Sequence, residues 1–215
     1  SIIDDAKTQK QEVLTAGQAY EILAAYKIAA ADCTIAHNAA EAISIANKIG
    51  FPVVIKADSQ KIIHKSDVGG VVANINSADE VADVIAKMQK NLYQDDLKFL
   101  IQKQMPKTTE LIIGAKKEAE LGHLIMFGLG GIFVEIFKDV AFTLTPITNI
   151  EAEEMTNSLK SSPLINGYRG EKGICKDQII EVIQRVSALV VDFPEIKELD
   201  INPIFGYENS VCAVD

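Results

Sequence analysis

With 215 residues, of which 48% are hydrophobic and 24% charged, the chain holds enough apolar material for one large domain or two smaller lobes. Its formal net charge of −9 argues against a general nucleic-acid surface, which needs many Lys and Arg contacts to phosphate, so any anion must be met at a local site. No apolar run approaches the roughly 20 residues of a membrane helix, the opening "SIIDDAKTQKQEV" has no basic-then-apolar leader, and Cys33, Cys175 and Cys212 form no Cys-x-x-Cys pair; a cytoplasmic protein with incidental thiols is expected.

In chain order, Val13, Ala16, Tyr20 and Leu23 recur at helical spacing and predict a helix over 11–27, followed by a short strand at "CTIA". Asn38 with Glu41 reads as a capping box opening a helix through Ala42, Ala46 and Ile49, stopped by Gly50 and Pro52. "PVVIKA" is a β-branched run typical of a buried strand. A polar connector, "KIIHKSDVGG", separates it from the next strand, "GVVANI". Ser77 and Glu80 form a second capping box, and Val81, Val84, Ile85, Met88 and Leu92 share one helical face. The patch "YQDDLK" is the expected lobe boundary, dividing residues 1–97 from 98–215. Beyond it "FLIQKQM", "ELIIGAKK", "HLIMFG" and "IFVEIF" predict one antiparallel sheet, then helices near 151–159 and 178–191, then strands at "ELDINPIF" and "SVCAVD". The fold class is α+β in two lobes.

Two constellations have chemical potential. In the first, Lys56 ends a strand and leads into a loop carrying His64, Lys65, Gly69 and Gly70; paired glycines let backbone N–H groups approach a phosphate and lysines add positive charge, although a glycine pair also fits a plain turn. In the second, Asp200 and Asn202 lie two apart on one strand, and Asp215 on its expected hairpin partner can reach them. Such oxygens suit Mg2+, and the two aspartates fit solvated edge residues as well. "GLGGIF" lacks the third small residue of a dinucleotide loop, His37 and His123 have no metal-ligand spacing, and Arg169 fits an anion contact or a solvated loop equally. Neither a serine elbow nor a Cys-His pair is visible.

Taken in order, "GFPVVIKADSQKIIHKSDVGGV", "LIQKQMPKTTELIIGA", "MFGLGGIFVEIFKDVAF", "LINGYRG" and "ELDINPIF…AVD" resemble the ATP-grasp domain of ADP-forming acyl-CoA synthetases over essentially the whole chain. The resemblance is to the β subunit of the ADP-forming acetyl-CoA branch, with succinyl-CoA synthetase β more distant. It implies an ATP-grasp fold whose two lobes clamp ATP or ADP with Mg2+. Lys56 matches the phosphate-contacting strand lysine, and Gly69 and Gly70 the covering loop, with Lys65 in that loop a further nucleotide-binding candidate; Gln102, Lys103 and Gln104 match the hinge beside adenine, and Glu110 the acidic residue after it. Asn202 and Asp215 match the Mg2+ ligands. Asp200 matches the acid that steadies a phosphohistidine.

His64 resembles the family's phosphoryl carrier, which succinyl-CoA synthetases lack at this position; a neutral imidazole is a competent nucleophile near pH 7, and Lys65 beside it would offset negative charge. The sequence carries no CoA-binding fingerprint, so the implied partner is a CoA-binding α subunit or fused synthetase domains, in a hetero-oligomer or a longer chain. The same architecture also fits a non-catalytic regulatory module of a multidomain protein acetyltransferase.

Overall fold

The computed structural model describes every residue except Ile63, His64, Ser66, Ile132, Phe133, Glu135 and Glu171. Among the described residues the helices are α1 (Ile2–Thr8), α2 (Ala16–Ala25), α3 (Ala39–Ile49), α4 (Ala78–Leu92), α5 (Asn149–Ser158), α6 (Ser162–Asn166) and α7 (Lys176–Asp192). The strands are β1 (Cys33–Ala36), β2 (Val53–Asp58), β3 (Val71–Ile75), β4 (Lys98–Lys103), β5 (Thr109–Glu118), β6 (Gly122–Leu129), β7 (Val140–Leu144), β8 (Glu198–Gly206) and β9 (Val211–Ala213).

Local chemistry sets the helix starts. Asn38, Ser77 and Thr148 each accept a hydrogen bond from the N–H three residues on, so the orphan donors of the first turn are satisfied before any tertiary contact forms. The predicted helix over 11–27 begins only at Ala16, because Thr15 and Gln18 bond reciprocally there and close a cap; α1 precedes it as a separate helix of about two turns capped by Ser1 and Asp4.

The chain divides into two compact units, one of residues 1–22 and 31–106, the other of 23–30 and 107–215. In the first, an antiparallel sheet of order β1-β4-β2-β3 buries Val53, Ile55, Phe99 and Ile101 against Ala42, Ala46, Val81 and Ile85 of α3 and α4. The strand "FLIQKQM" was expected in the later sheet, yet it is the inner strand β4 of this one. Its Phe99 and Ile101 face the first core, and both of its edges are occupied, by β1 and β2. The first unit therefore runs through Pro106, past the polar patch at 93–98.

In the second unit a five-stranded antiparallel sheet has the order β7-β6-β5-β8-β9. Leu111, Ile113, Ile125 and Phe127 alternate onto one face and pack under α5 and α7, whose Met155, Ile183 and Val186 are buried with them. Residues 23–30 belong here because Leu23 and Ile28 enter this core and the Ala213 N–H bonds the Ala29 carbonyl. The strand expected at "IFVEIF" falls partly outside the described residues, and the edge strand is β7, just beyond it.

Candidate functional site

The second unit holds the carboxylate cluster. Asp200 stands opposite Gly114 across the β5–β8 ladder, and the register then slips between Leu111 and Ile113, so that Asn202 and Pro203 together face Ile112. This bulge withdraws the Asn202 N–H from β5 and directs it to the carbonyl of Asp215 at 3.0 Å, while the Val214 N–H bonds the Pro203 carbonyl at 3.0 Å. The strand pair beyond the β8–β9 turn thus extends to the last residue, and Asp215 lies beside Asn202.

Partial burial pushes the Asp200 carboxyl above its ordinary range, opposed by a hydrogen bond from the Asn202 side chain and reinforced by the charges of Glu198 and Asp215. Three acidic groups and one amide therefore share a small region. Such a region gains from a cation, and Mg2+ with phosphate and water needs only one or two protein ligands. Among the described residues no group of three or more His, Cys, Asp or Glu is arranged to hold a metal alone.

Gly114 is the residue that the sequence reading missed here. Met126 of β6 and Asp200 of β8 both pair with it, and a Cβ added at Gly114 would sit 3.4 Å from Met126 Cε and 3.7 Å from Asp200 Oδ1. Both side chains lean over the glycine, which forms the floor of a shallow trough. The signal was a lone glycine within the apolar strand "ELIIGAKK", a position that weakens a strand unless something approaches its backbone closely.

Glu110 lies farther along β5, where the Gly130 N–H bonds its carbonyl at 2.6 Å; a Cβ on Gly130 would press its side chain at 3.0 Å. Gly130 of "GLGG" therefore serves close packing. Gly128 does likewise, since a Cβ there would lie 2.8 Å from the Asp139 carbonyl oxygen.

The first unit holds the other candidates. Lys56 is 4% exposed on the face of β2 opposite the apolar core, beside Cys33, whose thiol burial pushes up to about 11 while the Lys56 charge acts the other way. Asp58, two residues on, accepts from the Gly17 N–H at the start of α2, and Gly17 lets the helix approach Ile35 to a distance that a Cβ would reduce to 3.0 Å.

Of the connector after β2, Lys65, Gly69 and Gly70 are described and His64 is not. The Gly70 N–H closes onto the Lys65 carbonyl at 2.7 Å, and the Gly70 carbonyl accepts from Ala57 at 2.7 Å, so Gly70 is buried at the neck. Gly69, at φ +71°, supplies the left-handed turn in open space. At the other end of the connector Asp96 grips the chain: Ser59 Oγ donates to its Oδ1 at 2.7 Å and the Gln60 N–H to its Oδ2 at 3.1 Å.

Gln102, Lys103 and Gln104, expected to match the family's hinge, are bound within their own unit. Gln102 Nε2 donates to Tyr20 Oη, Lys103 Nζ to the carbonyls of Gly50 and Phe51, and the Gln104 side chain forms two bonds with Asn74. The N–H groups of Lys103 and Gln104 are also engaged, with Asp32 and Pro52. Polar side chains here fix the end of β4.

Residues 5–215 match the ATP-grasp domain family. The chain is 42% identical over 219 residues to the β subunit of acetate–CoA ligase (ADP-forming) I from Pyrococcus furiosus, covering 100% of this chain and 94% of that one. It is 44% identical over 212 residues to 4-hydroxybutyrate–CoA ligase (ADP-forming) from Nitrosopumilus maritimus, where the match spans 96% of this chain and 30% of the relative. Among solved structures, acetyl-coenzyme A synthetase 1 of Candidatus Korarchaeum cryptofilum, with coenzyme A, Ca-AMPCP and HgCl+, superposes with a TM-score of 0.92 at 33% identity, covering 100% of this chain and 96% of that one. The same enzyme has been solved with Mg-AMPPCP and its phosphohistidine segment pointing towards the nucleotide site, at a TM-score of 0.86 and 33% identity, covering 100% and 95%. Matched along its whole length in both sequence and fold, the chain belongs to the ATP-grasp family, in its branch of ADP-forming acetate–CoA ligase β subunits.

Proposed function

We propose that this chain is the nucleotide half of an ADP-forming acyl-CoA ligase, interconverting acyl-CoA, ADP and phosphate with the free acid, CoA and ATP. The observation that carries the reading is the convergence of Asp200, Asn202 and Asp215 on one strand pair, in a chain that matches such a β subunit from end to end. Asn202 and Asp215 would hold Mg2+, which neutralises phosphate charge when bound with the nucleotide. Lys56 and Lys65 add positive charge in the first unit, while Gly69 and Gly70 let the connector fold back beside it.

His64 serves as phosphoryl carrier. The bond from phosphorus to a donor nitrogen on the CoA-binding partner breaks as a bond to the His64 imidazole forms, and the phosphoryl group then passes to the terminal oxygen of ADP. Asp200, by the same resemblance, is the acid that steadies the phosphohistidine. CoA and the acyl group stay with the partner, a separate subunit or a fused portion of the same polypeptide. The relatives compared are named as ligases, which favours catalysis over a silent regulatory module.

The experiment mixes this chain with its CoA-binding partner, acetyl-CoA, ADP and labelled phosphate. ATP formation that His64→Asn abolishes is expected, with the label on the wild-type protein released by alkali-stable, acid-labile chemistry; normal turnover by the variant overturns the carrier role. ADP with Mg2+ at a hundredfold excess over Kd should also stabilise the isolated chain by about 2.7 kcal/mol, read as a rise in Tm.

A further inference from the structure

We infer that the apolar side of the second sheet's open face, along β7, is the docking surface for the CoA-binding partner; the inference rests on the function proposed above. Strand β7 is the outer edge of the five-stranded sheet, and its sequence, "VAFTL", contains neither charge nor proline. Natural edge strands are usually blunted by lysine, proline or a bulge, so a plain apolar edge marks a surface that another chain covers. Phe142 is 55% and Leu144 40% exposed, and Ile136 and Phe137 in the turn leading to the strand are 68% and 61% exposed. Single exposed apolar residues are ordinary, but Phe142 and Leu144 lie two apart on one strand and so expose their side chains on the same face.

The register ties this patch to the chemistry. Phe142 pairs with Met126, Met126 with Gly114, and Gly114 with Asp200, so one row of residues crosses four strands from the apolar edge to the carboxylate cluster. Alternation places all four on the face opposite the helices. A partner seated on Phe142 and Leu144 therefore stands on the same sheet face as Asp200, the acid proposed to steady the phosphohistidine.

The relatives identify the occupant. One is a β subunit nearly matched by this chain in length, whereas the other contains this chain's equivalent as 30% of a single polypeptide. The remainder of the fused enzyme is a separate molecule in the two-chain form and must find a lasting interface on the β subunit. Apolar cores with aromatic anchors are characteristic of such obligate contacts.

The test purifies wild type, Phe142→Arg/Leu144→Arg and the milder Phe142→Ser, each mixed with the CoA-binding subunit of the same enzyme and followed by analytical ultracentrifugation. Association weakened about thirtyfold or more by the double variant, and less by Phe142→Ser, is expected. Stabilisation by ADP with Mg2+ should remain as in wild type, showing that the fold is intact. If the enzyme is one polypeptide, hydrogen exchange at 140–144 in the full chain should be slow and should accelerate in the double variant. Unchanged association, or fast exchange at 140–144 in the full chain, overturns the inference. So does a wild-type homodimer that the double variant dissociates while the partner still binds, since the patch would then belong to a second copy. Failure of ADP to stabilise the wild type would count against the nucleotide reading alone; partner association still decides the docking surface.

Discussion

Asp200 is placed where its charge is expensive and useful. Partial burial and the neighbouring charges of Glu198 and Asp215 raise its pKa, so the ionised form costs the folded state stability at neutral pH. For an acid whose folded-state value lies above its unfolded one, that cost appears as pH rises through the window between the two. Asp200→Asn is therefore expected to raise Tm near pH 7 while abolishing phosphoryl transfer, a trade-off that differential scanning calorimetry and the ATP-formation assay test together. Glu198→Gln removes one of the like charges and should move the acid limb of kcat/KM to lower pH. Gly114 belongs to the same argument: Gly114→Ala adds a methyl at contact distance from Asp200 Oδ1, so transfer should fall about tenfold or more with Tm little changed, because small displacements of reacting groups are costly.

At the level of elements, caps and bulges decide what the site can present. Asp139, 7% exposed before β7, accepts from the N–H groups of Lys160 and Ser161, holding the α5–α6 connection against the sheet. Asp139→Ala leaves the buried Ser161 N–H without its acceptor and should cost about 1–3 kcal/mol in urea unfolding. In α7, Ile183 is fully buried among Ile125, Phe127 and Val186, and Ile183→Ala should cost about 2–5 kcal/mol by leaving a cavity that a sheet-backed helix relaxes only partly to fill. The bulge at Asn202 does the opposite kind of work, since it gives up a ladder bond so that a side chain can be aimed.

Across the molecule, several carboxylates are held below their ordinary range. Burial alone would raise Asp96 and Asp139, but the bonds from Ser59 and Gln60 in one case, and from Ser161 and Lys160 in the other, outweigh it; Thr148 does the same for Glu151. Groups depressed in this way stabilise the fold above their unfolded pKa, about 4, and that contribution is lost as pH falls through the lower folded-state values. Tm should therefore be flat near neutrality and fall below about pH 4, with Asp96→Asn flattening part of the drop. No described helix is long and apolar enough to cross a membrane.

The sequence by itself determined most of the elements and the family. Caps at Asn38 and Ser77, the period of α4 and the β-branched runs are local signals written within a few residues of where they act. The five motifs from "GFPVVIKADSQKIIHKSDVGGV" to "ELDINPIF…AVD", read in order, carried the resemblance. Pairing between distant strands was not legible. That β4 inserts between β1 and β2, and that Gly114 lies between Met126 and Asp200, depend on ladders linking residues from about a dozen to nearly ninety positions apart, whereas the return of Asp215 to Asn202 was expected from the hairpin. An apolar strand carries the same alternation whichever sheet it joins, so only the tertiary structure, through register and burial, decides which face and which neighbours it receives.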